Sequence, residues 1–438
     1  MQIRVGITTN DLTGKTHTSA LFSGLRPLTV EVGNNSNDLR RFPLRPGATL
    51  SVKALGSKLV LSGTPDGPRV VTGPIKVKPA NPGSAICLPS LSRAQGTGSR
   101  APSYRGEMEV SAVNGKLRLI LISDLEDYLQ GVLASEIPSS YQLEAIKAQA
   151  VAARTYALRP RISHEPENFQ VCDSYLCCQY FVGITSGISH QHEKAIEETR
   201  NQVLVYQEKP ILALFSSCAG GHTESYENCF SDPITGQFPA PALPYLKGVA
   251  EGKLPQEFPR ETALRQLWNL EKPDTCDGWS PHFRWQVRLS DSALEGHMHH
   301  VVATMLADPE FEPFIKSPPS GQFGHIDRFE IPRRGVSGVA VEMIVQTSTG
   351  PWSIQKELVI RSAFKNPDLN LSRLKSARIF LDQRRNKLGL LSELTISGLG
   401  WGHGVGLQQT GAQGLALQGK AYREILGHYF AGATIASV

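Results

Sequence analysis

Short apolar runs broken by turn residues dominate the first hundred positions. Leu28–Val32, Thr49–Ala54 and Lys58–Ser62 are separated by Asn34-Asn35, Pro46-Gly47 and Pro65-Asp66-Gly67, the punctuation of small antiparallel strands. The polar, Gly- and Ser-rich stretch Ser90–Ser103 reads as a surface loop or internal boundary. Beyond Tyr104, Met108–Ala112 and Leu117–Ile122 flank Asn114-Gly115, the strongest short signal for a two-residue hairpin. Asp124 is placed to cap a short helix over Leu125–Val132, which Ser135-Glu136-Ile137-Pro138 interrupts.

The period then changes. Leu143, Ile146, Ala150, Ala153 and Ala157 recur at helical spacing, with Ser140 as the predicted N-cap, Glu144 in the first turn and Pro160 as the stop. Lys147, Val151 and Arg154 share a neighbouring face, which predicts two cations directed into a cleft at the start of that helix. A helix around Ala195–Asn201 and a hairpin of Val203–Tyr206 with Ile211–Ser216, turning at Gln207–Lys209, follow. Pro239–Pro281 reads as a long excursion. Strands are expected at Gln286–Leu289, Ile326–Ile331, Val339–Gln346 and Glu357–Arg361, and helices at Gln408–Leu417 and Tyr422–Tyr429.

These elements predict an α+β fold, mostly antiparallel β-sheets with a few helices around a central substrate cleft. Four segments are expected: a β-rich region over 1–103, a catalytic core over 104–235, a β-rich excursion or second subdomain over 236–397, and a closing Gly-rich turn with helices over 398–438.

Composition narrows the function classes. The 438 residues are 40% hydrophobic and 19% charged, with 40 Gly and 29 Pro, an ordinary globular balance rich in turns. The net charge of +5 comes without a Lys/Arg block, zinc-finger spacing or basic helix, so nucleic acid is not the expected partner. No apolar run of membrane-spanning length occurs, and Met1–Gly6 reads as a strand rather than a signal peptide.

Four clusters carry chemistry. Glu136 follows two small residues, and Pro138 fixes the backbone just beyond it. A carboxyl held there, in a partly apolar cleft, suits a general acid. Cys172, Cys177 and Cys178, with His164 upstream, leave three readings open: Zn²⁺ ligation, a Cys172–Cys178 disulfide, or buried free thiols. In Phe215–Glu224, Gly220-Gly221 permits a tight turn or close ligand approach. Cys218 with His222 offers a nucleophile and base, or Cys218 pairs with Cys229, or it adds a metal ligand. In Gly400–Gly406 (GWGHGVG) alternate glycines bring the backbone close to a neighbour, with His403 at the centre and Trp401 suited to stacking on a sugar. His297, His299 and His300 read as a solvated face.

Taken in order, Leu125–Leu158, Gln179–Gly183, Ala195–Ala219, Gly220–Ser225, Pro244–Val249 and Gly398–Gly432 resemble the SpoIID/LytB family, as do Ile3–Gly6 and Tyr104–Ile122. Leu407 and Thr410 stand where that family more usually has Met and Trp. The resemblance implies a peptidoglycan lytic transglycosylase. Such an enzyme cleaves between N-acetylmuramic acid and N-acetylglucosamine, prefers glycan without stem peptides, and matches its catalytic glutamate to Glu136. It implies a structural Zn²⁺ on His164, Cys172, Cys177 and Cys178, and no organic cofactor. Lys147, Arg154, Gln179, Tyr180, Ser216, Gly220, Gly221, His403 and Gln408 are the expected glycan-binding residues. The LytB-type members imply an alternative, a non-catalytic activator of an N-acetylmuramoyl-L-alanine amidase. Either substrate or partner implies an extracytoplasmic location.

Overall fold

The structure, a computed structural model, describes residues 1–33, 39–95, 98–159, 162–184, 187–254, 258, 260–365 and 370–438. The Asn34-Asn35 turn and Pro160 lie outside the described residues. The fold is α+β. The chain forms two compact units, Met1–Leu212 with Ile435–Val438, and Ala213–Thr434. Residues 1–103 and most of 104–235 therefore share one unit. Among the described residues no helix is long and apolar enough to cross a membrane.

The first unit is built on a seven-stranded sheet in the order Val171–Cys172, Gln2–Gly6, Lys116–Asp124, Glu107–Val113, Ile75–Pro79, Leu28–Val32 and Arg40–Leu44. The edge strand Val171–Cys172 runs parallel to its neighbour. The Asn114-Gly115 turn forms as expected, with φ of 50° and 73° between the paired residues Val113 and Lys116. Ser19–Phe22, Leu50–Leu55, Lys58–Ser62 and Arg69–Thr72 make a second, four-stranded sheet. Ser90–Ser103 is not all loop: Arg93–Gln95 pairs with Gly98–Arg100.

Three helices complete this unit: α1 (Leu125–Glu136), α2 (Leu143–Leu158) and α3 (His190–Glu198). Asp124 caps α1 by accepting from the Glu126 N–H at 2.9 Å. α1 runs four residues past the expected stop. It ends where Pro138 forces Ile137 into extended geometry, φ −131° and ψ 134°. The N-cap of α2 is Gln142 rather than Ser140, without a side-chain cap bond. α3 starts earlier than Ala195 because Ser189 caps it and His192 completes a capping box. In the expected hairpin Gln202–Tyr206 pairs with Lys209–Pro210, through Gln207 and Glu208 at positive φ, and the returning strand ends before the expected Ile211–Ser216.

In the second unit, Arg284–Ser290, Leu391–Leu399 and Ile379–Arg385 form one sheet. Ile315–Lys316, Gly350–Gln355, Ala340–Thr347 and Ile326–Arg334 form another. The Pro239–Pro281 excursion contains α4 (Glu261–Asn269), and α5 (Asp291–Leu306) carries His299 and His300 on its exposed side. Glu357–Arg361, expected as a strand, is α6 (Glu357–Ser362). Short apolar runs do not reveal their period, and a buried Glu357–Arg361 pair at i,i+4, 3.0 Å, stabilises the helical form. α7 (Gln409–Leu417) and α8 (Tyr422–Tyr429) close the unit within one residue of expectation.

The α2 cations illustrate how burial reassigns residues. Arg154 is fully buried and donates to both carboxylate oxygens of Glu126 in α1, at 2.9 and 2.6 Å, so it ties α1 to α2 instead of facing a cleft. Lys147 pairs with Glu144 at 2.7 Å and Glu198 at 2.5 Å. Removing Arg154 strands a buried carboxylate, so Arg154→Ala is expected to cost about 3–5 kcal/mol. Lys147→Ala, with partners more exposed to water, is expected to cost about 1 kcal/mol or less. Urea unfolding of both variants measures the difference.

Candidate active site

Glu136 is the last residue of α1, and its Oε1 accepts a 2.6 Å hydrogen bond from the backbone N–H of Tyr180. The end of α1 is held from two sides. One is the loop bearing Tyr180. The other is His192 of α3, whose Nε2 meets the Ile137 carbonyl at 3.0 Å. Burial pushes the His192 imidazole down, so it is neutral, with Nε2–H the donor and Nδ1 facing the Ser189 amide at 3.3 Å.

The loop from Cys172 to Gly183 is anchored at several points. Asp173 is fully buried. Its carboxylate accepts from Arg93 at 2.7 and 3.2 Å and from the Thr8 amide and hydroxyl at 2.9 and 2.5 Å. Its own carbonyl accepts from the Phe181 amide at 3.2 Å. Gln179, expected to bind glycan, is buried and donates to Tyr128 Oη of α1 at 3.0 Å and to the Ala153 carbonyl of α2 at 3.3 Å; it is an anchor. Phe181 packs on Tyr128 at 4.7 Å. Gly131 of α1 makes this docking possible: a Cβ there would lie 2.5 Å from the Gly183 carbonyl. Tyr180 itself is half-buried, with Tyr175 edge-on at 5.4 Å.

The same loop gathers the cysteines. His164 Nε2 lies 3.3 Å from Cys178 Sγ and 3.4 Å from Cys177 Sγ, and these two sulfurs are 3.9 Å apart. With Cys172 the four donor atoms fall within 4.8 Å of one another, and no disulfide joins the three cysteines. Tetrahedral ligands at Zn–S and Zn–N distances stand roughly 3.4–3.8 Å apart, so this donor set fits a metal ion. Burial opposes charge on His164, but Cys177 and Cys178 outweigh it and push the imidazole up to about 9. The same two sulfurs push the Cys172 thiol up strongly, since thiolates this close repel unless a cation lies among them. Glu167 Oε2 lies 3.4 Å from His164 Nδ1 without a hydrogen bond between them.

The second unit holds the remaining expected residues. Ser216 and Gln408 meet as Phe215–Ser216 pairs in parallel with Leu407–Gln408, and Ser216 Oγ donates to Gln408 Oε1 at 2.9 Å. The Ser216 hydroxyl also accepts from the Gly404 amide at 3.2 Å. These are contacts that shape the glycine turn. Gly220 and Gly221 take φ of 69° and 102°, and the Gly221 amide donates to Asp277 at 3.0 Å. His403 has its Nδ1 on the Val405 amide at 3.0 Å and an edge contact with Phe230; burial, with Arg361 adding, pushes it down to about 4. Cys218 is buried with its Sγ 3.5 Å from Asp277, and burial pushes its thiol well up, the wrong direction for a nucleophile. The Cys229 sulfur contacts the His403 carbonyl at 3.4 Å and forms no disulfide with Cys218.

Sequence reading missed Asp173 and Arg93, which are eighty positions apart, and the clamp by His192. The Ser189-x-x-His192 capping pattern was the one local signal for the last.

Residues 113–206 match the family model described as Stage II sporulation protein (SpoIID), and residues 234–406 match a domain of unknown function, DUF8618. An amidase enhancer of Bacillus subtilis (strain 168) is 29% identical over 313 residues, 70% of this chain; the chain spans 40% of that relative's length. A stage II sporulation protein D of Bacillus amyloliquefaciens is 27% identical over 326 residues, 71% of this chain and 74% of the relative. The stage II sporulation protein D of Bacillus subtilis (strain 168) is 26% identical over 325 residues, 71% and 74%. These matches bear out the SpoIID/LytB resemblance read from the motifs.

Native protein treated with iodoacetamide is expected to remain unmodified at Cys218 and to keep its function, by peptide mass spectrometry. Rapid Cys218 modification with loss of function would restore the nucleophile reading.

Proposed function

We propose that this chain is a peptidoglycan lytic transglycosylase of the extracytoplasmic cell wall, with Glu136 as its general acid and base. The observation that carries the reading is the fixed Glu136 carboxyl, held on one oxygen by the Tyr180 amide at the end of α1. The SpoIID match over 113–206 spans this residue and supports the same class.

The chemistry needs one carboxyl. Glu136 protonates the glycosidic oxygen as the bond to the muramic acid C1 breaks. The 6-hydroxyl of that same sugar then attacks C1, closing a 1,6-anhydro ring, and its proton returns to Glu136. The attached hydroxyl takes the place of water at high effective concentration, so a second carboxylate is not required. Tyr180 presents its amide to Glu136, and its half-buried ring, beside Tyr175, is a candidate sugar contact.

His164, Cys172, Cys177 and Cys178 would hold a structural Zn²⁺. Four protein ligands leave no open position, so the ion would tie the loop's cysteines to the His164 turn rather than activate water. Elemental analysis is expected to give one zinc per folded chain, reduced by Cys178→Ser. Loss of cleavage on chelation with the fold and Glu136 contact intact would contradict the structural role.

The amidase enhancer among the relatives favours a second reading, a non-catalytic activator of an amidase. Incubation with glycan stripped of stem peptides separates the two. The lytic reading expects 1,6-anhydro-muramic ends by mass spectrometry, and a loss of about 10²- to 10⁴-fold in rate for Glu136→Gln. No cleavage by the native protein, with glycan still bound, would favour the activator.

A further inference from the structure

The glycine-rich turn of the second unit presents an aromatic side chain to solvent on an unusually constrained backbone. Trp401 is 41% exposed, a large apolar ring left uncovered. Its amide and carbonyl form a two-way bridge with Cys218, at 2.9 and 3.1 Å. Gly400 donates to the Phe283 carbonyl at 2.9 Å and Gly402 to the Lys375 carbonyl at 2.8 Å. The Gly400 carbonyl accepts from the Trp285 indole at 2.9 Å. Gly400 and Gly402 take φ of 79° and 108°, and a Cβ on either would come within 2.5 Å of the Cys218 carbonyl or the Ser216 Cβ.

The two anchoring segments, a turn at His282 and a bend at Lys375, deliver polar side chains to the ring. His282, next to Phe283, stands edge-on to Trp401 at 4.5 Å and 82°. Its Nδ1 is buried without a hydrogen-bond partner. Lys375 places Nζ 5.1 Å from the Trp401 ring centre. The flanking Leu374 and Ser376 are buried, so the ammonium is the outward-facing group of that segment. Burial, with the Lys375 charge nearby, pushes His282 down and keeps it neutral.

A rigid exposed indole braced edge-on by His282, with a lysine cation beside it, supplies the parts of a subsite for an acidic sugar. The ring accepts the apolar face of a pyranose and the ammonium a carboxylate. We propose that Trp401, Lys375 and His282 form a binding subsite for a pyranose carrying a free carboxylate, namely muramic acid whose lactyl group bears no peptide. The assignment to muramic acid rests on the glycan reading above. It supplies a physical reason for preferring stripped glycan: a stem peptide converts the lactyl carboxylate into an uncharged amide, which Lys375 cannot pair. Because the backbone already holds the three residues in place, binding orders little beyond the Lys375 side chain.

Calorimetric titration of the full chain carrying Glu136→Gln tests this. The probes are stripped glycan oligosaccharide, the same oligosaccharide with its carboxyls reduced to alcohols, and oligogalacturonate. Trp401→Ala is expected to weaken binding of both glycans about ten-fold or more. Lys375→Gln is expected to weaken the acidic glycan about two- to five-fold and leave the reduced one unchanged. Should Trp401→Ala fail to fold, the Lys375 comparison on a surface substitution still decides. Unchanged affinity in folded Trp401→Ala, or equal loss of both glycans in Lys375→Gln, would overturn the subsite. Lys375-dependent binding of galacturonate as tight as the glycan would overturn its assignment to muramic acid. Subsite binding without any cleavage by the native chain would instead count against the lytic reading alone.

Discussion

The first unit depends on one buried ion pair. Asp173 and Arg93 meet with side chains 0% and 1% exposed, a placement that costs each charge its hydration. It persists because neither is left short of partners: Asp173 also takes the Thr8 amide and hydroxyl, and Arg93 donates to the carbonyls of Thr8, Thr9 and Ser92. The pair joins the end of the first strand, the hairpin at Arg93 and the loop that begins at Cys172. Once Asp173 is fixed, the cysteines on either side of it converge on His164. The chain then runs through Gln179 to bring the Tyr180 amide onto Glu136. The candidate metal cluster and the candidate acid are consequences of one loop being docked in one way.

That docking explains where the sequence was legible and where it was not. Local chemistry showed itself: Asn114-Gly115 made its turn, Asp124 capped its helix, Pro138 set the geometry of Ile137, and Tyr422–Tyr429 formed the expected helix. Glu136 and the four soft donors were visible as residue types at close spacing, and the structure brings each group together. What could not be read was the direction of a side chain. Arg154 and Gln179 look in sequence like polar groups free for a ligand. Both are spent inside the core, because α1, α2 and the loop each leave polar groups there that need partners. Asp173 and Arg93 carry no local signature, since their meaning lies wholly in a contact across eighty residues.

The second unit shows a similar division between framework and chemistry. Its glycines serve the backbone: they let Gly220-Gly221 turn and let the turn around Trp401 lie against Ser216 and Cys218. Cys218, Cys229 and Cys276 are buried, and burial pushes each thiol up, so these sulfurs behave as core residues. Glu224, likewise buried, is satisfied by Ser225, Asn228, Val336 and Ser337, bracing the turn from beneath. Against this interior, Trp401 stands out as an apolar side chain left in water on a backbone that is fully engaged.

The docked loop holds the Glu136 carboxyl through the Tyr180 amide, and the proposed function requires that carboxyl to exchange a proton. Selective ¹⁵N-tyrosine labelling makes that amide visible by NMR, and a donor this close to a carboxyl follows its ionisation. A single pH-dependent step in the Tyr180 resonance is expected, and it vanishes in Glu136→Gln. That step is expected to coincide with one limb of the pH profile of glycan cleavage. A Tyr180 resonance that ignores both pH and Glu136→Gln would contradict the Tyr180–Glu136 contact.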